Sequence, residues 1–392
     1  MNIVQVHEIV NGISTELLGE SAVVAENLDN IVDIGKQIFE NVSYDKYVKT
    51  LVDHVGRVWF VNRTLEGVSN DLYRDDWEYG AVMEKIFGTE LPEAVENETW
   101  ELVDKASYDP NVFNKPAVAA KFFNKKTTFE VDLSIGDIQA RSAFSTGAQL
   151  NSFFSMLTND VDKSLTVKTD ALAERTINNM ILQTFNSEFP NVVDNDYSGM
   201  TGVKAVNLLK LYNDTFGGSI TAASVLYVPE FIRFASMIIN RYMIRLRKIS
   251  SLFNVGGLPR FTPSSMQHIV LHGDFTSAAN SYLQSDTFHD EFTALPRATE
   301  VPYWQGSGLD YSFASTSAIK GRIELANGNT KTIEVSGVLG VIFDHDAMGI
   351  TNMNKRVTSN YNAKAEFTNY FYKVDASYFN DLNESMVVFY VA

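Results

Sequence analysis

From Leu150 to Ile181 the apolar residues recur every three or four positions: Leu150, Phe153, Phe154, Leu157, Val161 and Leu165, then Leu172, Ile177, Met180 and Ile181, with Thr176 on the same stripe. That period is the mark of an amphipathic helix. Thr146-Gly-Ala-Gln149 ahead of it fits a capping box, with a hydroxyl at the cap and an amide three residues on. Unbroken to Phe185, such a helix would be roughly 60 Å long at about 1.5 Å per residue. That exceeds the helices of ordinary globular domains, and a helix broken between Asp160 and Ser164 is the alternative.

The segments before the spine also lack a core of their own. Residues 1 to about 56 read as helical, with Ile9, Ile13, Leu17 and Leu18, then Ile31, Ile34, Ile38 and Phe39 at near-helical steps. Neither face is wide enough to fold alone, which suits an arm lying on other parts of an assembly. Arg57-Val-Trp-Phe-Val-Asn-Arg63 reads as a strand, and Trp77, Tyr79, Ala81 and Met83 alternate along a second. Phe129, Val131, Leu133 and Ile135 alternate strictly with Thr128, Glu130, Asp132 and Ser134, the pattern of a half-buried strand.

Between these limbs lies an acidic excursion carrying Asp75, Asp76, Glu78, Glu84, Glu90, Glu93, Glu96, Glu98, Glu101 and Asp104. Its return limb carries Lys115, Lys121, Lys125 and Lys126, with no acid from Asn111 to Phe129. A long two-stranded excursion is marginal by itself in water and needs a neighbour. Tyr44, Tyr47, Trp77, Tyr79, Trp100, Phe122 and Phe123 lie in the arm and this excursion, where there is little core to enter. With Lys115 and Lys125 they are the candidate intersubunit contacts.

After the spine, helical and strand-like segments alternate. Val203–Tyr212 and Glu230–Phe253 read as helices, with Pro229 suited to a first turn and Gly256-Gly257 as a stop. Gln267–His272 reads as a strand, and Arg322–Ala326 with Thr330–Val335 as a hairpin whose Asn327-Gly328 suits a type I′ turn. Tyr303–Ser317, rich in Gly and Ser, reads as a loop, while Phe367–Ala376 and Met386–Val391 are aromatic and β-branched strands. The middle unit is thus an insertion into a discontinuous domain.

Val338, Leu339, Val341, Ile342 and Phe343 form an apolar run that ends in Asp344-His345-Asp346. Two aspartates around a histidine suggest a metal, but neighbouring strand residues point to opposite faces, so these three are expected as strand-exit residues at the surface rather than as ligands. His268 and His272 have helical ligand spacing, yet Ile269 stands where a zincin has glutamate, and on a strand their Cα atoms lie roughly 13 Å apart. No P-loop, strand-linked Gly-x-Gly-x-x-Gly or nucleophile elbow is present. No catalytic residue, cofactor site or metal site is expected.

The chain has 392 residues, no cysteine, and 48 acids against 32 bases, a net charge of −16. Disulfides and thiolate metal sites are excluded. So acidic a chain is a poor phosphate binder, because duplex affinity comes largely from neutralising phosphates. The one basic cluster, Arg241, Arg245, Arg247 and Lys248, follows Phe231, Phe234, Ile238 and Ile239 at helical spacing and reads as the solvated end of an amphipathic helix. No apolar stretch is long enough to span a membrane, and Met1–Glu8 lacks the basic start and long apolar core of a signal peptide. Synthesis in a cytoplasm is the expectation.

Gly340-Val-Ile-Phe-Asp-His-Asp-Ala347 resembles the strand-terminating Asp-x-Asp-Ala step of phage major capsid proteins. Asn30-Ile-Val-Asp-Ile-Gly35, followed by Tyr47-Val-Lys-Thr-Leu-Val-Asp-His-Val-Gly-Arg57, resembles their amino-terminal arm in tailed phages of Gram-positive hosts. The resemblance spans most of the chain in order and points to the Hong Kong 97 fold, nearest the phi 29-like short-tailed phages. It implies an α+β fold with an amino-terminal arm at 1–73, an extended β-hairpin loop at 74–136, a peripheral domain with a long spine helix at 137–186 and 347–392, and an axial α/β domain at 187–346. The immunoglobulin-like carboxy-terminal domain of phi 29 is not expected in this sequence.

The implied function is a major capsid protein of the virion, assembling as hexamers and pentamers into an icosahedral shell around double-stranded DNA without sequence-specific binding. A scaffolding protein and a portal are the implied partners, with no membrane and no cofactor, and the host bacterial cytoplasm is the site of synthesis. An encapsulin-like compartment shell is the nearest alternative, and a soluble hydrolase without a recognisable motif is the alternative of another class.

Overall fold

The computed structural model describes residues 83–92, 113–136, 147–285, 298–304, 313–325 and 328–392, with isolated positions among 11–15, 72–73, 94–96 and 103–111. The chain divides into two compact units, one of residues 1–69, 126–172 and 351–377, the other of 70–125, 173–350 and 378–392.

In chain order the elements open with β1 (Met83–Gly88), β2 (Val118–Phe123), β3 (Lys126–Gly136) and the helix α1 (Gly147–Glu188). Then come β4 (Ala205–Asn207), α2 (Leu208–Phe216), α3 (Pro229–Leu246), β5 (Gln267–His272) and α4 (Gly273–Ser285). They close with β6 (Thr299–Val301), the short α5 (Phe313–Thr316), β7 (Ile319–Glu324), β8 (Thr330–Val335), β9 (Val338–Asp344), β10 (Met348–Asn362), β11 (Phe367–Asn380) and β12 (Met386–Tyr390).

α1 is the spine that the apolar stripe predicts, and it runs 42 residues unbroken through Asp160–Ser164. The reason is compositional: from Ala148 to Glu188 there is neither glycine nor proline, the two residues that most often interrupt a helix. Val161, Leu165 and Leu172 are buried in the first unit, and Ala173, Ile177, Met180, Ile181 and Phe185 in the second. Burial from Val161 to Phe185, not propensity, holds this part of the helix.

The first unit contains a three-stranded sheet ordered β10-β11-β3, with β3 and β11 antiparallel from Lys126↔Ser377 to Gly136↔Phe367. The alternation predicted for β3 is present: Thr128, Glu130, Asp132 and Ser134 are exposed, and Phe129, Val131 and Leu133 are half-buried. Its exposed face carries cross-strand polar pairs, Thr128 with Asp375, Ser134 with Asn369 and Lys373 with Glu130. Arg356 of β10 reaches Asp375 as well.

The second unit is built on a five-stranded sheet ordered β4-β12-β9-β5-β6. β9 pairs antiparallel with both β12 and β5, while β12 with β4 and β5 with β6 are parallel pairs. All seven residues of β9 are buried, as a central strand covered on both faces requires. On one face Ile269, Leu271, Leu339, Ile342, Val387 and Phe389 pack with Leu208, Phe231, Ile239 and Phe275 of the helices. Next to β12, Phe185 of α1 packs edge-on against Tyr390 at 4.9 Å between centroids. Gly340 must be glycine here, because a Cβ would stand 2.8 Å from the Val270 carbonyl and closer still to Leu271.

Several sequence expectations shift. β12 lies inside the five-stranded sheet, and residues 378–392 belong to the second compact unit. The helix expected at Val203–Tyr212 begins as the short strand β4, because Asn207 caps α2 through its side chain and starts the helix at Leu208. α3 starts at Pro229 as predicted but ends at Leu246, well before Phe253. The β7–β8 connection closes through Leu325 N–H to the Asn329 carbonyl and Gly328 N–H to the Leu325 carbonyl, wider than the two-residue turn expected. Gly328 there has φ 79°, the left-handed region glycine favours.

Candidate intersubunit interface

β1 and β2 pair antiparallel from Met83↔Phe123 to Gly88↔Val118, and the pleat gives the hairpin two chemically different faces. Met83, Lys85, Phe87, Ala119, Lys121 and Phe123 turn inward, while Glu84, Ile86, Val118, Ala120 and Phe122 are exposed.

The inward face sits on the turn between β11 and β12. Asp381, whose side chain is wholly buried, accepts from Lys85 Nζ and Lys121 Nζ, each at 2.8 Å, and from the Asn383 N–H at 3.1 Å. Lys85 also donates to Glu384 at 2.7 Å and to the Asp346 carbonyl at 3.3 Å. Arg260 stands 3.6 Å from Glu384, donates to the Gly88 carbonyl at 3.2 Å, and lies over the Phe87 ring at 5.2 Å. Phe123 packs on Phe379 with centroids 5.0 Å apart, and Met83 lies against the pair.

Burial pulls the Lys85 ammonium down, but its bonds to Asp381 and Glu384 prevail and hold it above the ordinary lysine value. Burial likewise pushes the Asp381 carboxyl up, and the bonds from Lys121 and Lys85 outweigh it, so Asp381 titrates below its ordinary value. Glu384 goes the other way. Burial, reinforced by the charge of Asp344, raises it despite Lys85 and Arg260. The seat is therefore an ion cluster held within one chain.

Among the expected contact residues, Phe122 is 62% exposed, and Lys115 and Lys125 are exposed. Phe123 is turned into its own chain's core, a small cluster that strand periodicity alone does not reveal. Tyr44, Tyr47, Trp77, Tyr79 and Trp100 lie outside the described residues. Lys85, Arg260, Asp381 and Glu384 are not among the sequence candidates, and Lys121 stands there only as one cation of the return limb; the alternation of Met83, Lys85 and Phe87 is the one signal, since it puts a lysine on an otherwise apolar face.

Asp344 corrects a further expectation. It is 4% exposed rather than a surface residue: Thr262 Oγ1 donates to it at 2.6 Å, and the Asp346 N–H at 2.8 Å. His345 is partly buried and within 2.9 Å of His268, which stacks on Phe343. No group of three or more metal-ligating side chains gathers among the described residues, and no described helix is long and apolar enough to cross a membrane. A groove of about 940 Å³ beside α4 is lined by alanines, serines, Tyr227, Tyr282 and Phe313, with Asp274 its one acidic side chain.

The family model for the Phi29-like phage major capsid protein matches residues 6–390. Similar solved structures include the capsid of Staphylococcus phage Andhra, at 11% identity and TM-score 0.40 over 85% of this chain and 86% of that one. The capsid of cyanophage P-SCSP1u is similar at 14% identity and TM-score 0.43, over 85% and 90%. No curated protein sequence matches. The chain belongs to the Phi29-like phage major capsid protein family, and its described residues form an α+β fold. It is a shell protein of a phage virion, and the family match disfavours the encapsulin-like reading.

Proposed function

We propose that this capsid protein assembles as hexamers and pentamers into an icosahedral shell that encloses a double-stranded DNA genome, with a scaffolding protein and a portal as partners and no catalytic activity of its own. Synthesis falls in the host bacterial cytoplasm. The net charge of −16 supports a wall that does not grip the genome. Residues 1–73 act as the arm, 74–136 as the extended loop between subunits, 137–186 with 347–392 as the peripheral domain, and 187–346 as the axial domain.

The observation that carries the reading is the two-faced hairpin. Its inner face is engaged with its own chain, while its outer face leaves Ile86 70%, Val118 65% and Phe122 62% exposed. Large apolar side chains gathered on one small sheet face are what an interface core requires. In a shell of many copies the available cover is another subunit, with Phe122 central and Lys115 and Lys125 at the rim.

Replacing Ile86, Val118 and Phe122 with threonine together tests this. Threonine keeps strand propensity and leaves Lys85, Lys121 and Phe123 in place, so the subunit should melt within a few degrees of wild type. Sedimentation should then show capsomers or shells reduced by about tenfold or more, since repeated weak contacts multiply over a closed lattice. Normal shells from this variant would refute the between-subunit role of the loop.

A further inference from the structure

Two histidines that the hairpin's ion cluster does not use meet at one end of the five-stranded sheet. His268 lies on β5 opposite Phe343 of β9, and its ring stacks on the Phe343 ring with centroids 5.6 Å apart. His345 is the first residue after β9, and its Nδ1 stands 2.9 Å from Nε2 of His268. Both side chains are partly buried.

His345 belongs to the turn Asp344–Ala347, which joins β5, the β11–β12 turn and the hairpin. The His345 N–H donates to the Met266 carbonyl at 2.8 Å, just ahead of β5, and the Ala347 carbonyl accepts from the Asp381 N–H at 2.7 Å. Between them the Asp346 carbonyl accepts from Lys85 Nζ of the hairpin at 3.3 Å. A shift of this turn therefore reaches the hairpin's inner face. β9 is more firmly held, since it is buried throughout and paired with β12 on one edge and β5 on the other.

At 2.9 Å one ring nitrogen donates its hydrogen and the other accepts it, whichever tautomers are present. A first added proton makes this a charge-assisted bond. A second takes the accepting lone pair and sets two N–H groups and two positive charges face to face, so it binds only if the rings part. We propose that His268 and His345 form an acid-opened latch: doubly protonated they separate, the Asp344–Ala347 turn shifts, and the β1–β2 hairpin loosens from its seat while the sheet persists. Asp344 and Asp346 flank His345 on the turn, Asp381 and Glu384 lie on the β11–β12 turn, Lys85 and Lys121 on the hairpin, and Arg260 ahead of β5. The carboxylates suit one positive charge on the pair, and the cations oppose a second. The closed pair thus binds one proton fewer than two separated histidines, so the latch holds near neutrality and opens as pH falls.

Amide hydrogen exchange on the full-length, unassembled chain tests this, with each rate corrected for the intrinsic pH dependence of exchange. Between about pH 7.5 and about pH 5, either side of the ordinary histidine value, protection of the β1 and β2 amides should fall by about tenfold or more relative to that of β12. His345→Gln keeps a hydrogen-bonding side chain that takes no charge, and its hairpin protection at about pH 5 should stay within about threefold of its value at about pH 7.5. His268→Gln removes the other charge and should behave alike. A second readout needs no variant: nitrogen-15 spectra of wild type labelled only at its six histidines should show two rings becoming doubly protonated over the pH range in which the hairpin loses protection.

Hairpin protection in wild type that is equal at the two pH values would overturn the latch. So would the same acid loss in both glutamine variants, which would assign the response to Glu384 or Asp381. Protonation of both rings with the hairpin still protected would overturn it as well, and that outcome is readable in wild type even where a glutamine variant does not fold.

Discussion

The seat of the β1–β2 hairpin and the open face of the β3–β11 sheet both pair lysine with carboxylate, yet the same chemistry does different work in the two places. On the sheet, Lys373 lies 3.1 Å from Glu130, with both side chains substantially exposed, at 29% and 42%. At the seat, Lys85 lies 2.8 Å from an Asp381 side chain with no exposure at all. In water the sheet pair gains little over its separate hydration. At the seat Asp381 has lost all its solvent and Lys85 most of it, so the buried carboxylate is tolerable only because the lysine is there. A surface pair can be deleted, whereas a buried pair can only be replaced as a unit.

The largest effect should come from breaking the seat on one side. Lys85→Met leaves Asp381 and Glu384 with one cation fewer and should cost about 3–5 kcal/mol in urea unfolding of the unassembled subunit. The neutral exchange sharpens the comparison: adding Asp381→Asn to Lys85→Met should recover part of that loss, because the buried charge is removed together with its partner. Equal stability of the single variant and wild type would show that the carboxylates are hydrated and that the seat resembles the sheet.

The sequence discloses these two regions unequally. β3 and α1 are legible because their periodicities are local: strict alternation in one, and in the other a stripe with no glycine or proline to interrupt it. β9 is legible as a continuous apolar run. The seat is not, because Lys85 meets Asp381 and Glu384 across 296 and 299 residues of chain, and no local pattern encodes such a pairing. Asp344 misleads for the same reason, since the Thr262 hydroxyl that makes its burial tolerable comes from 82 residues away. Of the contact residues, Phe122 and Phe123 are adjacent and alike in sequence, and only the pairing register decides which one faces out.

A smaller effect, of opposite sign at two neighbouring carboxylates, should follow pH. The folded pKa of Asp381 lies below its ordinary 3.8, so its ionised form stabilises the fold above that value, and the contribution is lost as pH falls through the folded pKa. The cost of Asp381→Asn should therefore be full near neutrality and shrink below pH 3.8. Glu384 has a folded pKa above its ordinary 4.5, so its contribution is fully present below 4.5 and is lost as pH rises through the raised value. Wild type should gain on Glu384→Gln as the solution is acidified from neutrality. Unfolding midpoints measured at several pH values check both slopes, and parallel slopes for the two variants would mean that burial does not separate these groups.

The smallest effect closes the comparison from the sheet side. Lys373→Ala removes one partner of an exposed cross-strand pair, and its amine also lies 5.7 Å from the centre of the Phe371 ring. Glu130 stays hydrated when the lysine goes, so no buried charge is stranded. The loss should be about 0.5 kcal/mol in urea unfolding, near the middle of the range for exposed pairs. It should shrink further when salt is raised to about 1 M, where the screening length falls to roughly 3 Å. The Lys85→Met penalty should persist under that salt, because screening reaches hydrated charges and not those closed off beneath the hairpin. If both penalties fell together, the distinction between a deletable surface pair and an inseparable buried one would fail for this protein.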